Sequence, residues 1–88
     1  MPTQAALDHE MYVADRRLSR RKVDFNEEIE RARLRRGNPF ERVDDLMIED
    51  AAVQQAAMRL MRATEVAVRA SHRARAHSRH APRRGLYL

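Results

Sequence analysis

Three histidines, His72, His77 and His80, and two serines among them, Ser71 and Ser78, are the residues whose types could do chemistry at close range. Imidazole can ligate a metal, or act as base to a serine hydroxyl. His77 and His80 stand three apart and share a helix face. His72 lies about 140° around the helix from His77, and no local carboxylate completes a metal set. Arginines crowd this segment and repel a cation. "HEMYV" at His9 has Val13 where a zinc-binding HExxH motif needs its second histidine. The serines have no third group to orient a base and sit outside any core, whereas a nucleophile needs both base and oxyanion donors held rigidly. Glu27, Glu28 and Glu30 could be imagined as acid/base carboxylates, but Glu27 to Arg31 and Glu30 to Arg33 have the spacing of surface ion pairs. There is no glycine-rich phosphate loop. The expectation is a non-enzyme with no metal, no cofactor and no small-molecule substrate.

The arginines are the more informative group. The stretch "RASHRARAHSRHAPRRG", residues 69 to 85, holds six arginines, three histidines and no acid. Residues 1–65 carry twelve basic and thirteen acidic residues, whereas residues 66–88 carry six arginines and no acid, so the whole excess of +5 arises in the tail. Arginine presents a planar fork suited to phosphate and carboxylate. Arg62, Arg69, Arg73, Arg75, Arg79, Arg83 and Arg84 are therefore the candidate contacts to nucleic acid or another anionic partner. On a helix, Arg62, Arg69, Arg73, His77 and His80 fall within about 60° of one line, a basic ridge opposite an apolar stripe. No aromatic residue interleaves them, which weakens a single-strand stacking reading. A helix-turn-helix reader after Gly37 is excluded on charge, because Glu41, Asp44, Asp45, Glu49 and Asp50 would stand where base edges and phosphates are met. A second basic block, Arg16, Arg17, Arg20, Arg21 and Lys22, reads as encircling a solvated helix.

The elements that must position these residues are helices. Alanine, arginine, leucine, methionine and glutamate dominate, with only two glycines and three prolines. Leu7, Met11, Ala14, Leu18, Phe25, Ile29 and Ala32 recur at steps of three, four and seven, one face of a first helix. "DFNE" at Asp24 is a competing capping signal that would kink or break it. Gly37 is a natural terminator, and "NPFE" behind it places Asn38 as N-cap of a second helix running from Pro39 to about His80. Leu46, Val53, Leu60, Ala67 and Ala74 recur every seven residues along it, flanked by Val43, Met61 and Val68. The methionines Met47, Met58 and Met61 read as core filling. The expected fold is all-α: a long antiparallel hairpin over 1–74, folded at Gly37–Asn38 so that the first helix ends opposite about residue 71. A basic arm, 75–88, projects beyond it.

Two helices make a poor core, since a chain this short buries only about 60–65% of its unfolded surface. Such a hairpin ordinarily completes itself by pairing or by joining a larger assembly. Leu86, Tyr87 and Leu88 add three large apolar groups at the terminus, read as a docking segment for a partner. The absence of cysteine fits a reducing compartment, and neither a membrane-spanning run nor a secretory leader is visible, so a cytoplasmic or virion-like setting is expected. The functional expectation is a structural subunit of a larger complex, such as a nucleoprotein particle or phage virion, with its arginine arm on nucleic acid or an acidic protein surface. A free-standing dimeric nucleic-acid-binding regulator, or a helical inhibitor or adaptor of another protein, are the alternatives.

Overall fold

The computed structural model describes residues 1–80, an all-helical antiparallel hairpin of three helices: α1 (Gln4–Arg36), α2 (Val43–Glu49) and α3 (Ala51–His80). Thr3 caps α1, its hydroxyl accepting the Ala6 N–H at 3.1 Å. The helix runs unbroken past Asp24, whose carboxylate is taken by Arg21, three residues back, and caps nothing. It stops at Gly37, which adopts φ 67°, the left-handed conformation glycine enters without steric penalty. The N–H groups of Gly37 and Asn38 turn back to the carbonyls of Leu34 and Arg33 and close the end in a Schellman arrangement.

The second long helix begins later than its sequence suggests. Asn38 does not cap a helix at Pro39. Its side-chain oxygen accepts the Phe40 N–H in a local turn, and the carboxylate of Glu41, which a capping box would need, is held by Arg36 instead. The chain then forms the short α2 and breaks at Asp50. This residue ends α2 through its N–H to Leu46 and starts α3 by accepting the N–H groups of Ala52 and Val53. Residues 38–50 are thus spent at the turn, and the pairing register shifts. Arg35 lies beside Asp50, and Gln4 meets Ala74 and His77, so the start of α1 is level with His77 and not with residue 71.

The seam between the long helices is largely alanine. From α1 come Leu7, Ala14, Ile29 and Ala32; from α3 come Val53, Ala56, Ala63, Ala67, Ala70 and Ala74, all buried. Their steps of three, four and seven on α3, and of seven, fifteen and three on α1, keep each set on one side of its helix. Small side chains let the backbones approach closely, but each methyl removes little area from water, so the seam stabilises less per residue than leucine would. Leu46 of α2 and Val53 are fully buried at the turn end with Ile29 and Ala32, while Phe25 and Val43 pack on that cluster; Met11 and Leu18 pack on Ala14, Ala67 and Ala70.

Leu60 is half-buried. Met61, expected at the helix interface, is instead 61% exposed, and Val68 and Met58 are also outside the seam. Met47 joins them, so Met47, Met58 and Met61 do not fill the core. The reason is geometric: alanine at the 56, 63 and 70 positions turns the contact line of α3 away from Met61 and Val68. Among the described residues no helix is long and apolar enough to cross a membrane.

Candidate anion-binding surface

Of the arginines singled out by sequence, Arg62, Arg69, Arg73, Arg75 and Arg79 lie on α3; Arg83 and Arg84, with the expected docking residues Leu86, Tyr87 and Leu88, lie outside the described residues. The five are all exposed, but they do not form one patch. Arg73 faces the flank where α3 meets Glu10 of α1 and forms an ion pair with it. Arg75 and Arg79 point to the other flank. Arg75 shares a shallow groove with Asp15, Leu18, Thr64, Val68, Ser71 and His72, and Arg79 joins His72, Arg75 and Ser78 at the next turn. Arg62 and Arg69 face outward, away from α1.

This end of α3 is anchored. Gln4 donates through Nε2 to the Ala74 carbonyl at 3.1 Å and to Asp8 at 2.9 Å, which leaves its Oε1 as the acceptor 2.6 Å from His77 Nδ1. In that arrangement His77 carries a proton on Nδ1, so the nitrogen is engaged and not free to ligate. The arginines of the last turns therefore project from a fixed helix.

Toward the turn, six cations are paired with carboxylates. Arg31 pairs with Glu27 and Glu28, and Arg33 with Glu30. At the turn Arg35 pairs with Asp50 at 3.0 Å, and Arg36 with both Glu41 and Glu49. Hydrogen bonding from Arg35 and from the Val53 N–H holds the Asp50 carboxyl below its usual range, and the Glu41 hydrogen bond raises Arg36. Eight of the nine ion pairs among the described residues lie within 21–62, the turn half of the hairpin. That half is also balanced by sequence, with nine basic and nine acidic residues; the opposite half, 1–20 with 63–88, has nine basic and four acidic.

A cation group that sequence reading set aside becomes visible on α1. Arg16, Arg17, Arg20 and Arg21, with Asp24, line one open depression, so these four share a broad face and only Lys22 stands apart. The signal was present in their spacing, since residues three and four apart are helix neighbours. Arg16 is occupied locally, its guanidinium 3.0 Å from the Tyr12 hydroxyl and 5.8 Å from the ring centre. Arg17 and Arg20 form no ion pair with any described residue, and neither do Arg59, Arg62, Arg69, Arg75 and Arg79. No known protein family, curated protein or solved structure matches this chain.

Proposed function

We propose that this protein is a non-catalytic assembly subunit whose arginine-rich end binds the phosphates of nucleic acid. The observation that carries the reading is the segregation of charge along the hairpin. The turn half is balanced in charge and pairs six of its nine cations with carboxylates, while the other half carries the entire excess of +5. An arginine needed only for solubility has no reason to be kept away from carboxylates. Phosphate contact gives one, because each neutralised phosphate releases counterions.

Assembly is supported by what the hairpin leaves uncovered. Tyr12, Val23, Ile48, Met58, Met61 and Val68 are all exposed, outside a seam built largely of alanine. A neighbour in a larger particle would cover such groups and supply burial that two helices lack. Phage virions are one setting with that requirement.

The test is duplex DNA and RNA binding by the full chain and by a full-length variant with Arg75, Arg79, Arg83 and Arg84 replaced by glutamine. Affinity that falls steeply with salt, and is weakened at least tenfold in the variant, supports the reading. Absence of binding by the native chain at about 50 mM salt, where phosphate contacts are strong, contradicts it and turns attention to an acidic protein surface.

A further inference from the structure

We propose that two copies of this chain pair through the flank of the hairpin lined by Leu18, Thr64 and Val68, forming an antiparallel four-helix bundle. Its twofold axis runs across the helices over Leu18 and Thr64. The inference rests on the assembly part of the reading above, for which it names the neighbour, and not on phosphate binding.

The two flanks of the hairpin differ in chemistry. On one, Glu10 pairs with Arg73, and Arg59 shares a groove with Asp24, Glu27 and Glu28. On the other, Leu18 of α1 faces Thr64, Ala67 and Val68 of α3 across an open groove. The Thr64 hydroxyl donates to the Leu60 carbonyl at 2.8 Å, which spends its donor inside α3. Met61, one turn before Thr64, extends the same face; it is 61% exposed and Val68 47%.

The spacing on this flank matches itself under a twofold rotation. Leu18 stands three residues after Asp15 and four before Lys22, and Thr64, across the groove, stands three after Met61 and four before Val68. Residues seven apart return to one helix face, so Lys22 lies on the flank with Asp15. A second copy turned end for end over Leu18 and Thr64 therefore brings its Lys22 to Asp15 and its Val68 to Met61, and each contact occurs twice. Within one chain, Asp15 and Lys22 form no ion pair with any described residue, which leaves both for that neighbour.

The axis falls near the middle of α1, so the helices of the two copies overlap over about 30 residues, or ~45 Å. With two helices each about 10 Å across, a copy contributes a footprint of about 900 Å², and a specific interface needs about 800 Å² per partner. Turning end for end also sets the arginine-rich ends of α3 at opposite extremes of the dimer. A parallel pairing would place them together, where they repel.

The experiment is sedimentation equilibrium of the full chain without nucleic acid, for native protein, D15K, K22D, D15K/K22D and V68E. All three positions are exposed in one chain, so the substitutions leave the hairpin itself intact. Native protein is expected as a dimer at about 100 μM. D15K and K22D each set like charges against one another at both contacts and should raise the dissociation constant about tenfold or more. V68E buries an unpaired charge in the interface and should abolish the dimer. D15K/K22D restores opposite charges across the axis and should recover native affinity within about threefold, which a folding defect in either single variant would prevent. Native protein that stays monomeric at about 100 μM overturns the pairing. A dimer unmoved by D15K, K22D or V68E, or not recovered in the double swap, overturns this face. Duplex DNA binding, scored on the same samples, separates the two readings: a dimer that binds no DNA overturns phosphate contact and supports the pairing, and a monomer that binds DNA does the reverse.

Discussion

Gln4 and His77, seventy-three residues apart, meet side chain to side chain at 2.6 Å, and the same Gln4 holds the Ala74 carbonyl. The start of one helix thereby fixes the end of the other. Replacing Gln4 with alanine removes both ties, each of which contributes about 0.5–1.5 kcal/mol. Amide exchange over residues 74–79 should accelerate roughly five- to 150-fold, with little change at the turn end. Native protection of that segment in Gln4→Ala would show that the clamp is not formed.

Asp50 closes the other end. Its carboxylate caps α3 and receives Arg35, and its folded pKa is depressed by those hydrogen bonds. A depressed carboxylate contributes stability that is complete above its unfolded pKa and is lost as pH falls through the folded value. Stability should therefore hold at neutral pH and decline below the usual carboxylate range. Asp50→Ala is expected to lower the melting temperature by about 5 °C at pH 7. Asp50→Asn, which keeps a capping oxygen, should recover part of the loss, and the difference between variant and native should shrink in acid.

The alanine seam makes a contrast between two α3 positions. Ala70 is 1% exposed and Val68 47%. Ala70→Leu forces the helices apart and should cost about 1–3 kcal/mol, read by urea melts, whereas Val68→Ala should change the stability of the isolated chain by less than about 0.5 kcal/mol. A larger loss for Val68→Ala in isolated monomer would place it in the core and contradict this seam.

Glu65 is the one carboxylate close along α3 to Arg62 and Arg69, three residues from the first and four from the second, yet it pairs with neither. In the proposed interface its charge has the wrong sign for phosphate. Glu65→Gln should tighten duplex binding about two- to fivefold at low salt, an effect that disappears as salt screens it. Unchanged affinity would remove this stretch of α3 from the interface.

Much of the hairpin was legible in sequence because helical periodicity is local. The positions Leu7 through Ala32 and Val53 through Ala74 keep their spacing whether or not a partner is known, and Gly37 marks the end of α1 by its own backbone freedom. The register was not legible. It depends on Asn38 spending its side chain on Phe40, and on Arg36 taking Glu41, so that α2 forms at the turn and does not join α3. Met61 was misplaced for a related reason, since periodicity gives an apolar arc but not which edge of it alanine will bring closest. The tail arginines announced themselves by the absence of acids. Arg17 and Arg20 were passed over although their spacing with Arg16 and Arg21 already made them helix neighbours; the structure adds that Asp24 beside them pairs with Arg21.

The central claim is that the unneutralised arginines serve phosphates, and the most direct measurement is the affinity of the full native chain for a DNA duplex as a function of salt. Counterion release predicts a linear fall of log affinity with log salt, with a slope of about −0.9 for each phosphate engaged. Engagement of Arg75, Arg79, Arg83 and Arg84, one phosphate each, requires a slope of about −3.6 or steeper. A flat dependence, or no binding at low salt, would contradict the account.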